Sequence, residues 1–146
     1  MIAIGADHGG FELKNKIVKW LEENGYDVKD FGIHENKSVD YPDIAEVVCK
    51  SITGGECDKG ILVCGTGIGI SIAANKIKGI RAAVCGDIYS AAMTKRHNNA
   101  NVITLGGRVV GEDVGIEIVK AWLTNEFEGG RHQNRIDKIT NLENNR

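Results

Sequence analysis

The sequence predicts an α/β fold: a doubly wound sheet of five parallel strands, three layers deep, with helices on both faces. Three observations predict it. Short apolar runs stand at 2–6 and 61–63, as strands covered on both faces require, and further short strands are expected at 80–84 and 102–105. Between them lie stretches with apolar residues at helical spacing. Strand and helix alternate five times, which produces parallel strands joined by right-handed crossovers.

Each element follows from local pattern. Ile2 to Ala6 is a first strand, followed by the loop Asp7, His8, Gly9, Gly10. Leu13, Ile17, Trp20 and Leu21 mark the inner face of a helix that Gly25 stops. Tyr26 to Phe31 alternates as a second strand. Asp40 stands as N-cap to a helix with Pro42 in its first turn and Ile44, Val47, Val48 and Ile52 inward. Ile61 to Val63 is a buried third strand, and a helix is expected from Ile70 to Ile77. Ile80 to Val84 is strand four, and Asp87 caps a helix reaching Met93. Val102 to Leu105 is strand five, and Val114, Ile118, Val119 and Trp122 face inward from the next helix. The polar segment from Arg131 to Arg146 carries Ile136, Ile139 and Leu142 on one stripe, a face for docking on a second subunit. The whole is Rossmann-like in architecture.

Length and charge narrow the function. The 146 residues support one domain, 1–146, with a real core. A net charge of −2 with no basic excess argues against nucleic acid as a bulk partner. No apolar run approaches the ~20 residues of a membrane span. No basic segment precedes an apolar one at the N-terminus, so no signal peptide is expected and the protein reads as cytoplasmic. Cys49, Cys57, Cys64 and Cys85 lack paired spacing, which fits reduced thiols. No Cys/His pair has metal-ligand spacing, so neither a metal nor a cofactor is expected.

The most informative stretch is Lys59-Gly-Ile-Leu-Val-Cys-Gly-Thr-Gly-Ile-Gly-Ile-Ser71. A strand ends on a thiol, a glycine-rich turn follows, and a helix begins. The free N–H groups of that turn and helix start suit a developing oxyanion beside a base or nucleophile. Cys85 also ends a strand but lacks such a loop, and it reads as structural. Ligands in doubly wound sheets bind beyond the C-terminal strand ends. Asp7, His8, the Cys64 loop and Arg108 stand at such ends, and His97 and Asn98 are expected to join them on that edge. Thr66 is either a helix cap or a hydroxyl toward substrate. His97 is either a helix-end residue or a proton-transfer group. Arg131 and Arg135 share a helix face, either solvated or clamping phosphate. Glu12 and Lys16 read as a surface pair.

Other loop chemistries do not fit. Gly5-Ala-Asp-His-Gly-Gly10 lacks the middle glycine of a dinucleotide fingerprint. Six residues beyond Cys64 stands Ile70, where a cysteine phosphatase needs an arginine. No Gly-Lys-Ser/Thr occurs.

Five motifs then fall in register: Gly5-Ala-Asp-His-Gly-Gly10, Asp40-Tyr-Pro-Asp43, Cys64-Gly-Thr-Gly-Ile-Gly69, Arg96-His-Asn98 and Gly130-Arg-His-Gln-Asn-Arg135. Across nearly its whole length the chain resembles the ribose-5-phosphate isomerase B family, which also holds allose- and galactose-6-phosphate isomerases. The resemblance implies a metal-free aldose–ketose isomerase of pentose phosphate metabolism, acting through an enediolate. Cys64 matches the base that moves a proton between C1 and C2. Some relatives use a Glu where Ile70 stands, so the cysteine branch applies. Main-chain N–H groups of Gly65, Gly67, Ile68, Gly69 and Ile70, assisted by Thr66, match the enediolate site. Asp7 matches a ligand of the sugar hydroxyls, His97 the ring-opening group and Asn98 a group orienting the sugar oxygens. His8, Arg131, Arg135 and Arg108 match phosphate ligands, and Tyr41 lines the site. The resemblance further implies a homodimer or dimer of dimers with shared sites, the partner supplying His97, Asn98 and Arg108. The alternatives are isomerisation of a six-carbon sugar phosphate such as allose 6-phosphate, or a non-catalytic sugar-phosphate-binding module.

Overall fold

In the computed structural model, residues 1–145 are described. Five strands, β1 (Ile2–Ala6), β2 (Val28–Asp30), β3 (Lys59–Cys64), β4 (Ala82–Val84) and β5 (Val102–Gly106), form one parallel sheet in the order β2-β1-β3-β5-β4. Six helices accompany them: α1 (Phe11–Glu23), α2 (Tyr41–Thr53), α3 (Ile68–Ala74), α4 (Ile88–Asn98), α5 (Glu112–Thr124) and α6 (Arg131–Asn144). None of the described helices is long and apolar enough to cross a membrane.

The two-residue period of the strands sorts the core into two layers. Ile4, Ala6, Ile61, Val63, Ile103 and Leu105 pack with Leu13, Ile17 and Leu21 of α1, Ala91 of α4, and Ile118 and Trp122 of α5. Ala3, Leu62 and Cys64 point the other way, onto Ala45, Val48 and Cys49 of α2 and Ile70 and Ala74 of α3. Connections toward β2 and back from β4 use one face. Those that step from β2 to β3 and from β3 to β4 use the other. Every crossover therefore has the same hand. β3 is the central strand and sends its helix to one face, whereas its neighbours β1 and β5 send theirs to the opposite face. Crevices therefore open on both sides of the β3 C-terminus, which is where such sheets hold ligands.

Several boundaries differ from the sequence reading, each for a local reason. The second strand is only Val28–Asp30, because it pairs at the sheet edge with β1 alone. The helix after β3 starts at Ile68 and stops at Ala74. Gly67 at φ +78 turns the chain into it, and the Asn75 amide, exchanging two hydrogen bonds with the Ala82 backbone, leads the chain out toward β4. Asp87 does cap α4, accepting from the Ser90 N–H at 2.7 Å, but the helix runs past Met93 until Asn99 turns left-handed. Val47 and Val114, expected inward, are 49% and 47% exposed. Small residues take the inner faces instead: Ala45 on α2, and on α5 Gly115, which lies against Leu13. Lys16 pairs with Glu112 of α5 at 3.6 Å rather than with Glu12.

One buried cation was not foreseen. Lys14 lies on the inner face of α1 with no exposed surface. Its ammonium donates to Asp30 Oδ2 at 2.8 Å and to the Ile33 carbonyl at 2.9 Å, tying α1 to the end of β2. Removing one partner of a buried pair strands the other. Lys14→Met is expected to lower the unfolding free energy by about 2–4 kcal/mol. Adding Asp30→Leu should recover part of that loss. Urea denaturation of both variants checks this, and equal losses would contradict it.

Candidate functional site

Three loops meet at the C-terminal edge, and they meet backbone to backbone. A Cβ at Gly107, after β5, would stand 2.4 Å from the Gly9 carbonyl oxygen after β1. One at Gly106 would stand 2.7 Å from the Thr66 carbonyl group after β3. Gly107 N–H donates to the Cys64 carbonyl at 2.8 Å, and Arg108 N–H to the Gly65 carbonyl at 3.0 Å. Gly106 and Gly107 thus let these loops touch.

Cys64 ends β3 at the centre of this arrangement and is 4% exposed. The Gly67 N–H points at its sulfur at 3.2 Å. The buried Thr104 hydroxyl of β5 donates to the Gly67 carbonyl at 2.6 Å, holding the residue that makes this contact. Thr66 Oγ1 accepts from the Ile68 N–H at 3.2 Å, a local turn just ahead of α3, whose N-cap is Gly67. Gly67 and Ile68 thus commit their N–H groups inside the loop. Those of Gly69 and Ile70 lie in the first turn of α3, where a helix offers no internal partner.

The loop after β1 adds Asp7 and His8. Asp7 is buried, and its Oδ1 accepts from the Gly9 N–H at 2.8 Å. His8 is exposed, and its Nδ1 faces the Val39 N–H at 3.4 Å. Both line a cavity of about 570 Å³ with residues 38–43. Tyr41, also on that wall, lays its ring on Gly69, where a Cβ would come within 2.6 Å of it. Arg108, expected from a partner, has its guanidinium against Gly65 of its own chain, 3.3 Å from where a Cβ would be.

His97 and Asn98 do not join this edge. A helix between parallel strands runs back to the N-terminal edge of the sheet. The 11 residues of α4 carry the chain about 16 Å from the Asp87 end to the Asn98 end. Arg81, just before β4, donates to the Asn98 and Asn99 carbonyls at 3.1 and 2.9 Å, fixing that end there. The expectation that all the polar residues gather on one edge is therefore corrected: it overlooked the direction of α4. Asp7, His8, Tyr41, Cys64, Thr66 and Arg108 form one group, and His97, Asn98, Arg131 and Arg135 belong to another at the far edge.

That second group contains residues given no role from the sequence. The His97 and His132 rings stack with centroids 4.3 Å apart and planes 13° apart. Glu128 Oε1 lies 3.7 Å from His97 Nε2 and 3.4 Å from His132 Nε2, while Arg96 Nε donates to Glu128 Oε2 at 2.6 Å. The Arg96 guanidinium holds the Glu128 carboxyl below its usual range. Among the described residues these two histidines and Glu128 form the group with metal-ligand chemistry, their ligand atoms within 4.8 Å of one another. The nearly parallel rings set their nitrogens side by side rather than converging on one point. Arg131 and Arg135 are exposed on the same helix as His132.

The chain matches the family model described as Ribose/Galactose Isomerase over residues 2–139. It is 52% identical over 142 residues to ribose-5-phosphate isomerase B of Escherichia coli K12, covering 97% of this chain and 95% of that protein. The structure of ribose-5-phosphate isomerase B from Clostridium thermocellum superposes with a TM-score of 0.97 at 55% identity, covering 99% of this chain and 97% of that one. Ribose-5-phosphate isomerase B of Mycoplasma genitalium, whose structure holds bound ribulose-5-phosphate, superposes with a TM-score of 0.95 at 42% identity, covering 99% and 97%.

The four cysteines differ in environment. All are buried free thiols. Burial pushes the Cys49 thiol up to about 12 and the Cys85 thiol up to about 11. Only the thiolate reacts, and at pH 8 it is about one part in a thousand or less for both. Iodoacetamide at pH 8 should therefore leave Cys49 and Cys85 of the native protein unmodified. Alkylation of Cys64 should follow the loss of activity, as peptide mass spectrometry against an activity time course will show.

Proposed function

The chain belongs to the ribose/galactose isomerase family, and from that membership we propose that it interconverts ribose 5-phosphate and ribulose 5-phosphate through an enediolate. The observation that carries this reading is Cys64 at the end of the central strand, with the Gly67 N–H on its sulfur. The ribulose-5-phosphate held by the Mycoplasma genitalium relative supports the substrate.

The reaction begins with the furanose ring. As the C1–ring oxygen bond breaks, His97 gives its proton to the ring oxygen and the anomeric hydroxyl gives its own to a water, from which His97 is reprotonated. The Cys64 thiolate then takes the proton from C2 and returns it to C1, while a hydroxyl proton passes from O2 to O1. Between these steps the charge rests on the enediolate oxygens. Preorganised N–H donors such as those of Gly69 and Ile70 stabilise such charge by ~3–4 kcal/mol each in comparable oxyanion sites. Asp7 binds sugar hydroxyls beside Cys64, with Thr66 and Tyr41 on the flanks, and Asn98 orients the sugar oxygens. His8, Arg108, Arg131 and Arg135 hold the phosphate. Binding at a group remote from C1 and C2 fixes the reacting carbons against the sulfur.

Both half-sites are needed, and one chain holds them at opposite edges. The reading is therefore a site shared by two copies, each giving its Cys64 group to one site and its His97 group to the other. Exposed Ile68, Ile72, Ile88, Tyr89 and Val109, on segments that begin at the C-terminal edge, support a covered face there. Ile139 and Leu142 of α6, the latter 74% exposed, support the docking role expected of that helix. A phosphorylated sugar does not cross membranes unaided, so the work is cytoplasmic.

Cys64→Ala and His97→Asn should each lack activity alone. Unfolded together and refolded in equal amounts, they should regain on the order of a quarter of wild-type activity, because half the dimers are mixed and one site in each is intact. No recovery would place both groups in one chain's site. Arg135→Ala should raise KM for ribose 5-phosphate about tenfold or more with kcat little changed. An unchanged KM would remove Arg135 from the phosphate site.

A further inference from the structure

We propose that Glu128, with the His132 ring stacked on His97, is a positioning residue that aims His97 at the sugar ring oxygen. The proposal rests on the reading of His97 as the ring-opening group.

His97 sits in the last turn of α4 with 38% of its side chain exposed, so the helix alone does not fix its ring. Two contacts do. His132 is 8% exposed and lies flat on the ring from the first turn of α6. Glu128 Oε1 faces the Nε2 atoms of both rings. The carboxylate itself is immobilised by a side chain and a backbone. Arg96 Nε holds its other oxygen, and the Glu128 N–H donates to the Arg96 carbonyl at 3.0 Å. Arg96 immediately precedes His97, so the strut and the ring it braces start from adjacent residues. One carboxylate oxygen is thus kept at a fixed place beside Nε2, as an outer group orients a metal-bound or catalytic imidazole. An exposed ion pair adds little stability. The positional constraint is the part that bears on the reaction.

The test separates ring opening from the proton shift. Ribulose 5-phosphate has its carbonyl at C2 and its C5 hydroxyl phosphorylated, so it forms no furanose ring. Breaking of the C1–deuterium bond in ribulose 5-phosphate labelled at C1, whether the label appears in water or at C2, needs Cys64 but no ring opening. Glu128→Gln should lower kcat/KM on ribose 5-phosphate by about tenfold to a hundredfold. It should leave the rate of C1–deuterium cleavage, followed by NMR, within about twofold of wild type. Glu128→Asp, which keeps the charge, should fall between. Equal losses in both reactions would make Glu128 merely structural, and no loss in either would make it idle; both overturn the proposal. His97→Asn serves as the reference. If it fails to show the same split, the ring-opening reading falls and the proposal falls with it. A wild type that performs neither reaction would instead sink the isomerase reading.

Discussion

The contact on which the site depends is the meeting of three loops without side chains between them. After β1, β3 and β5 the chain reaches backbone contact, with the Gly9, Thr66 and Gly107 segments separated by less than a methyl group. That contact sets where Cys64 ends and how Gly67 turns. Thr104 completes the hold from within β5, through the Gly67 carbonyl. Such a junction has little slack. Close-packed backbone transmits any displacement, and a proton transfer tolerates little of it.

The second constraint is the length of α4. It sets the spacing between the Cys64 edge and the His97 edge of the chain. At the far edge, Arg81 clamps the end of that helix by two backbone carbonyls, and Asn101 accepts the Arg81 N–H at 2.8 Å. The polar network there is as well connected as the loop junction at the near edge. Both ends of one helix are fixed, which is what placing two halves of a site requires.

Much of this was legible in the sequence, and the failures are instructive. Every strand was expected near its observed place, and Cys64 with its glycine loop pointed to the C-terminal edge where three loops meet. Asp87 was recognisable as a cap, because a cap is local chemistry. Lys14 was not recognisable as a core residue, since its partners Asp30 and Ile33 come from a distant segment. Val47 and Val114 fit a helical stripe as well as their neighbours did; only the close packing of Ala45 and Gly115 decided which side faced inward. The placement of His97 was missed for a different reason. Its position before a strand was clear, yet adjacency to β5 in sequence means the N-terminal edge, and Cys64 follows its strand at the other. Glu128 and His132 carried no recognisable spacing relative to His97, because two elements have to fold back to bring them together.

The separation of Cys64 from His97 also has a meaning for the life of the chain. With the site shared as proposed, a newly made chain can complete its sheet, bury its core and still be inert toward sugar phosphates. On that proposal, catalysis begins only when two finished molecules meet. Being folded and being switched on would then be separate events, and the chain's own concentration would decide how quickly the second follows the first.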